Sequence, residues 1–366
     1  MMKILLTDGS HANTLGIMRH LKGHEIDIIH YKKSAPAYSK YCNKLIISPE
    51  ITKRDAYALF LLHHVKANHY DILIPVGALA CYICSEHHQS LSQYVRIEIA
   101  AFEDFSIAID KVETFKFCEQ HGILHPLTYY TIPDVRYPAI IKARGEVKGK
   151  FPVKYVNDRL ELIRQLDVIG QECPQLQWND LVIQERIVGE NHGFLCLYQN
   201  GVIKRAICHR RVREYPATGG PATSIEMVHD EKLIALGKNV FDRLHWHGVG
   251  MVEYIKQDGE YYLIEINPKF WTTIEAHILA GMHFPWFLSQ MGSGQLYYWD
   301  DYKDLRFVWL FAPGGELWRI FQRPGDILKV IRDLFRAKTD LYLNDIKPTI
   351  VQFLCWVIWV FKSKKS

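Results

Sequence analysis

Two strand-like runs joined by an Asp-Gly turn constrain this chain more than any other feature. Gly250–Lys256 and Tyr261–Ile266 flank Gln257-Asp258-Gly259-Glu260, which reads as a β-hairpin. Glu253 lies on the first run, and Glu265 and Asn267 lie two residues apart on the second, on one face. The hairpin brings Glu253 opposite the Tyr262–Glu265 stretch, close to Glu265. Two carboxylates and an amide converging on one spot repel unless a cation sits between them. Hard oxygens of this kind suit Mg²⁺, which keeps waters and takes further ligands from phosphates. A hairpin whose polar side simply faces water is the plainer alternative, but Asn267-Pro268 running into Phe270 and Trp271 is an odd way to build a surface.

The rest of the chain reads as several lobes, as 366 residues lead one to expect. Lys3–Thr7, Ile26–His30 and Ile72–Val76 are short apolar runs, and helical patterns follow at Leu15–Leu21, Ala56–Ala67 and after Gly77. Strands alternating with helices imply a doubly wound parallel sheet, an α/β lobe over residues 1–108. The Asp8-Gly9-Ser10 loop lacks a GxGxxG spacing, so no dinucleotide fingerprint is present. From Asp110 onward the pattern is α+β. DKVETFKFCEQHG reads as one helix closed by Gly122. Strands are expected at 137–143, Leu181–Glu185, His192–Tyr198 and Val202–His209, helices at Leu160–Leu166 and Asp230–Leu244, and a polar loop from Arg213 to Glu226.

Two more groups carry charge where charge needs a reason. Lys142 ends an apolar strand, a costly place for an ammonium without an anion beside it. His209, Arg210, Arg211 and Arg213 precede a loop holding Gly219-Gly220, which favours an anion. The net charge is 44 − 40 = +4 with no basic stripe, which argues against nucleic acid as a partner. The eight cysteines sit mostly in apolar stretches, and Cys81 and Cys84 have no second pair at zinc spacing, so a reduced, cytoplasmic chain is expected. MMKILLTDGS is too short an apolar run for a signal peptide, and no GxSxG is present.

In this arrangement the chain resembles the ATP-grasp superfamily of carboxylate–amine and carboxylate–thiol ligases, the group of carbamoyl-phosphate synthase and biotin carboxylase. The resemblance implies a pre-ATP-grasp lobe (1–108) and a two-lobed ATP-grasp domain (109–300), with a lid lobe at about 137–185 and a C-terminal lobe at about 186–300. A helical extension at 301–366 completes the chain. It implies ATP with Mg²⁺, or Mn²⁺, held by Glu253, Glu265 and Asn267. Lys269 stands where the family has Arg after Asn-Pro, keeping the charge but not the planar fork. Lys111 and Lys142 match the phosphate lysines, Glu185 and Ile187 the adenine hinge, and Glu190, with His192 as alternate, the ribose site. Gly145, Gly149, Lys148 and Lys150 form a glycine-poor phosphate loop. Arg211 or Arg213 would neutralise the transferring phosphoryl group. The implied substrates are a small-molecule carboxylate and an amine, joined through an acyl-phosphate. A nucleotide-binding scaffold without turnover is the alternative, and the oligomeric state stays open.

The tail is almost wholly apolar from Thr349 to Phe361 and closes with Lys362, Lys364 and Lys365. It is short of the ~20 residues that span a bilayer. Docking on the body is the favoured expectation, and peripheral membrane contact through 349–366 at the inner face is the other.

Overall fold

The structure, a computed structural model, describes all residues except 146–150, 215–219, 293–300, 312–314, 323 and 364–366, and of 321, 322 and 355–363 only the backbone. Gly149 and the lysines at 148 and 150 therefore lie outside the described residues.

The first lobe is a parallel sheet of β1 (Lys3–Leu6), β2 (Glu25–His30), β3 (Lys44–Ile47) and β4 (Ile72–Ile74), in the order β3-β2-β1-β4. Both faces are covered. Ile4 and Leu6 pack with α1 (Ala12–His20), while Leu5 and Leu73 pack with α2 (Arg54–Ala67) and α3 (Ala78–Glu86). That is why these strands are continuously apolar rather than alternating. A single turn, α4 (His88–Leu91), and α5 (Phe102–Ile109) lead into α6 (Lys111–His121). Asp110 caps α6 by accepting from the backbone N–H of Val112 at 2.9 Å, and Gly122 ends it at φ 64°, a left-handed conformation that glycine adopts without strain.

A four-stranded antiparallel sheet follows: β5 (Thr128–Tyr129), β6 (Ala139–Ala143), β7 (Lys154–Val156) and β8 (Leu181–Glu185), ordered β5-β8-β6-β7. Leu162 and Ile169 of α7 (Arg159–Glu172) close its small core. This sheet starts at Thr128, upstream of the expected lid boundary at 137.

The third unit is a seven-stranded sheet of β9 (Glu190–Gln199), β10 (Val202–Glu214), β11 (Ala222–Met227), β12 (Gly248–Gln257), β13 (Glu260–Asn267), β14 (Arg306–Val308) and β15 (Lys338–Thr339). Its order is β13-β12-β9-β10-β11-β14-β15. Two expectations are corrected here. Of the loop expected from Arg213 to Glu226, Arg213 and Glu214 instead end β10 and Ala222–Glu226 belong to β11, while 215–219, with Gly219, lie outside the described residues. The extension expected to be helical supplies two strands, β14 antiparallel to β11 and β15 parallel to β14. One face of the sheet packs Phe194, Cys196 and Tyr198 against α8 (Glu231–Arg243). The other packs Leu195, Leu197, Ile207 and Ile225 into the same core as Ile4 and Leu6, with α9 (Ile274–Leu279) and α10 (Phe284–Gln290) between.

After α11 (Glu316–Gln322) and α12 (Ile327–Leu334), the chain returns to the first lobe. Asp345 accepts from Arg19 Nε at 2.9 Å, Ser39 Oγ at 2.8 Å and the Lys40 backbone N–H at 3.1 Å. The final helix, α13 (Ile346–Ser363), therefore starts docked on the body. Ile350, Phe353 and Leu354 on it are exposed, and the aromatic side chains from 356 onward lie outside the described residues. No helix among the described residues is long and apolar enough to cross a membrane.

Candidate active site

The hairpin of β12 and β13 pairs Glu253 directly with Glu265 and Met251 with Asn267. Val252 and Ile266 point into the α8-side core, so the alternation along each strand sends Glu253, Glu265 and Asn267 to the opposite face. The register slips by one residue beside this pair, because Tyr254 faces Leu263 and Ile264 is left over. Bulges of this kind re-aim groups next to functional sites. The Ile264 carbonyl accepts from Lys142 Nζ at 3.0 Å.

Four further cations gather here. Lys111, at the first turn of α6, donates to Glu265 Oε1 at 3.0 Å. Arg211 reaches Glu253 Oε2 at 2.6 Å and Glu214 Oε1 at 3.3 Å. Lys142 is buried, with Nζ 4.8 Å from the centre of the Phe115 ring. Lys269 adds charge from just beyond the hairpin.

The electrostatics follow from that crowding. Burial pushes the Lys142 ammonium down to about 7, and Lys111 acts in the same direction against Glu265 and Glu253. Burial also raises Glu253, helped by Glu265 and Glu214, and Arg211 only partly offsets it. For Glu265, burial is outweighed by Lys111, Lys142 and Lys269, which together hold its carboxyl below the ordinary range. Two neighbouring glutamates thus have opposite tendencies, set by which cations face them.

Not every residue singled out in the sequence reaches this spot. The register of β10 against β11 shifts on both sides of Arg213. Arg213 accordingly leaves the Glu253 face and pairs with Glu316 at 2.7 Å and with Asp333. Glu190 and His192 share the parity of Phe194, so they lie on the α8 side of β9. Glu190 pairs with Arg210 at 2.7 Å, and His192 stands edge-on to the Tyr261 ring with centroids 5.3 Å apart. Glu185, at the end of β8, accepts the Leu127 backbone N–H at 2.8 Å. Ile187 lies partly buried in the short link from β8 to β9, flanked by Val188, whose N–H donates to Gln257 Oε1 at 3.2 Å.

Residues the sequence did not single out complete the site. Asn191 shares the parity of Gly193 and donates through Nδ2 to Glu214 Oε1 at 2.7 Å, so Glu214 bridges Asn191 and Arg211. Gly193 pairs with Glu253 on one side and His209 on the other, and a Cβ on it would come within 2.8 Å of the His209 ring. A relay of buried rings runs from there, His209 to His277 at 2.9 Å and His277 to Trp271 at 2.9 Å. Correct registration of β9, two residues longer at its start than the sequence suggests, is the signal that finds Asn191.

Among the described residues no group of three or more His, Cys, Asp or Glu is placed to hold a metal ion. The hairpin offers two carboxylates and the Asn267 amide, whose Nδ2 lies 3.5 Å from Glu253 Oε1, at the limit of a hydrogen bond. Amide orientation is interchangeable, so Oδ1 can face the same spot. Two carboxylates plus one amide oxygen fit Mg²⁺ when a bound phosphate supplies the remaining oxygens.

Residues 108–273 match the family model described as the ATP-grasp domain. A D-aspartate ligase of Enterococcus faecium is 23% identical, over 63% of this chain and 61% of that protein. The chain thus matches under two thirds of this curated relative's length. Among solved structures, an L-amino acid ligase from Bacillus licheniformis superposes with a TM-score of 0.62 at 14% identity, covering 79% of this chain and 73% of that one. The biotin carboxylase domain of a Hydrogenobacter thermophilus 2-oxoglutarate carboxylase superposes with a TM-score of 0.67, also at 14% identity, covering 83% and 73%. The hairpin and all four cations of the cluster lie within the residues 108–273 that match the ATP-grasp domain model.

Proposed function

We propose that this protein is an ATP- and Mg²⁺-dependent ligase that joins a carboxylate to an amine through an acyl-phosphate. The observation that carries the reading is the convergence of Lys111, Lys142 and Arg211 on Glu253 and Glu265. With Lys269, four cations face the three carboxylates Glu253, Glu265 and Glu214, and a polyphosphate supplies the missing negative charge. The named activities of the D-aspartate ligase and the L-amino acid ligase support an amino acid as one of the two substrates.

Glu253, Glu265 and Asn267 would hold Mg²⁺, or Mn²⁺ with the same oxygen donors. A bound ion would supply charge neutralisation and orientation to the phosphates. Lys142 and Lys111 bind phosphate oxygens, Lys111 exchanging its contact with Glu265 for the nucleotide. Glu185, at the end of β8, and Ile187, in the link from β8 to β9, would meet the adenine. An oxygen of the substrate carboxylate attacks the γ-phosphorus, the bond to the β-phosphate oxygen breaks and ADP leaves. Arg211 and Lys269 balance the charge that spreads over the transferring group. The amine then attacks the acyl carbon, the carbon–oxygen bond to phosphate breaks, and the ammonium proton passes to solvent. Arg213, Glu190 and His192 take no part in this scheme.

The test is ADP and phosphate release by the full-length protein with ATP, Mg²⁺ and pools of amino acids and other carboxylates. ADP formation that requires both a carboxylate and an amine is expected. ATP binding with no ADP from any pool would identify a nucleotide-binding scaffold instead.

Lys142→Met should raise the Kd for ATP about 10–100-fold by calorimetry, since it deletes a charge-assisted contact worth about 1.5–3 kcal/mol. Methionine keeps the packing on Phe115, so the melting temperature should hold. Unchanged ATP affinity would return Lys142 to a purely structural role.

A further inference from the structure

Helix α12 is built inside out. Leu328 and Phe335 are 75% and 87% exposed, and Ile327, Ile331 and Leu334 are exposed as well. At about 100° per residue these five fall within one arc of roughly 120°. The side turned to the protein carries Val330 and Asp333, 1% and 4% exposed. Asp333 is held there by Arg213 and Arg306, so an ion-paired anchor fixes the helix with its apolar arc facing solvent. Amphipathic surface helices normally do the opposite.

Charge lies where it would complement an anionic surface. Exposed Lys329, Arg332 and Arg336 form the flank beside the apolar arc. Arg336 also lines a cavity of about 360 Å³ together with Arg306, Lys338, Glu226 and Asp304. Glu226 already accepts from Arg210, and the Arg306 Nε–H is buried without a hydrogen-bond partner. The cavity lining thus carries three basic side chains against two acidic ones.

We propose that α12 docks the protein on an anionic lipid bilayer, its apolar arc seated at the boundary of headgroups and acyl chains. The cationic flank and the adjoining cavity receive lipid phosphates. An apolar arc bordered by Lys and Arg is the pattern of a helix that lies in the membrane interface. Apposing two copies through this arc would crowd their cationic flanks, which disfavours a second copy as the occupant. The proposal goes beyond the ligase reading and does not depend on it.

The test is co-sedimentation of the full-length protein with phosphatidylcholine vesicles with and without phosphatidylglycerol. Pelleting is expected with the anionic vesicles and should weaken as salt is added. The double variant Leu328→Glu/Phe335→Glu should lower the partition coefficient at least about tenfold, since each side chain would lose its burial in lipid. Both positions are exposed, so an unchanged melting temperature verifies that the variant folds. Lys329→Glu/Arg332→Glu should abolish the preference for phosphatidylglycerol. Absence of pelleting, or equal pelleting of Leu328→Glu/Phe335→Glu with α13 intact, would overturn the proposal. So would a concentration-dependent dimer that the same double variant dissolves, which would assign the arc to a second copy.

Discussion

Glu265→Gln should lower the rate of ADP formation by about 10²–10³-fold while the protein stays folded. The side chain keeps its shape, so nothing in the packing changes. What changes is charge: Glu265 is the anion facing Lys111 at 3.0 Å, with Lys142 and Lys269 near enough to hold its carboxyl down. A neutral amide there weakens the proposed metal donor set and removes the carboxylate charge that faces Lys111, Lys142 and Lys269. Steady-state ADP release reads the first effect, and a thermal melt read beside it separates a site defect from a folding defect. A variant that keeps more than half the wild-type rate would remove Glu265 from the reaction.

Arg211→Met should be costly twice over. In the folded protein the guanidinium spans Glu253 and Glu214, and Glu265 stands opposite Glu253. Without it, Glu253 and Glu214 lose the cation between them, while Glu265 keeps its own cation, Lys111. Breaking a buried pair costs about 3–5 kcal/mol, and discounting for the partial exposure of these groups leaves about 2–3 kcal/mol. The loss has a pH signature. Glu253 is already raised by burial and by its acidic neighbours, and loss of Arg211 lifts it further. A carboxyl whose folded pKa exceeds its unfolded value, about 4.3, destabilises the fold above that value. The penalty should therefore be full above the folded pKa of Glu253 and fade as pH falls toward about 4.3. Denaturant melts of wild type and variant across that range measure it. Turnover should also fall by about 10²-fold or more, because the charge on the transferring phosphoryl loses its partner. Wild-type stability with wild-type turnover would contradict both halves.

The first lobe and the hairpin were legible because their signals are local. Apolar runs punctuated by Asp8-Gly9 and Gly77 mark the parallel strands, and the Asp110 and Gly122 caps bound α6. The Asp258-Gly259 turn brings Glu253 to the Ile264–Glu265 stretch, and the bulge at Ile264 sets it opposite Glu265. What stayed hidden depends on residues far apart in the chain. Arg211 and Arg213 share a parity in the sequence, and only the register shifts around Arg213 turn it toward Glu316, a residue 103 positions away. The strands β11, β14 and β15 are short or polar, ATSIEM, RFV and KT, and become strands by pairing with an existing edge. Glu190 and His192 follow the same logic. A strand begun at Glu190 rather than His192 leaves their parity intact, but which face meets the site is decided by the cores on either side.

In the proposed reaction, ATP is spent on activating a carboxylate. The measurement that reaches it most directly is isotope transfer: the protein, ATP and Mg²⁺ are incubated with an amine and a carboxylate labelled with oxygen-18 in the carboxyl group. An acyl-phosphate route moves one labelled oxygen from each ligated carboxylate into inorganic phosphate, visible by phosphorus NMR or mass spectrometry. Labelled phosphate formed in step with ADP and amide is the predicted result. Unlabelled phosphate accompanying amide formation, or release of AMP and pyrophosphate in place of ADP, would contradict it.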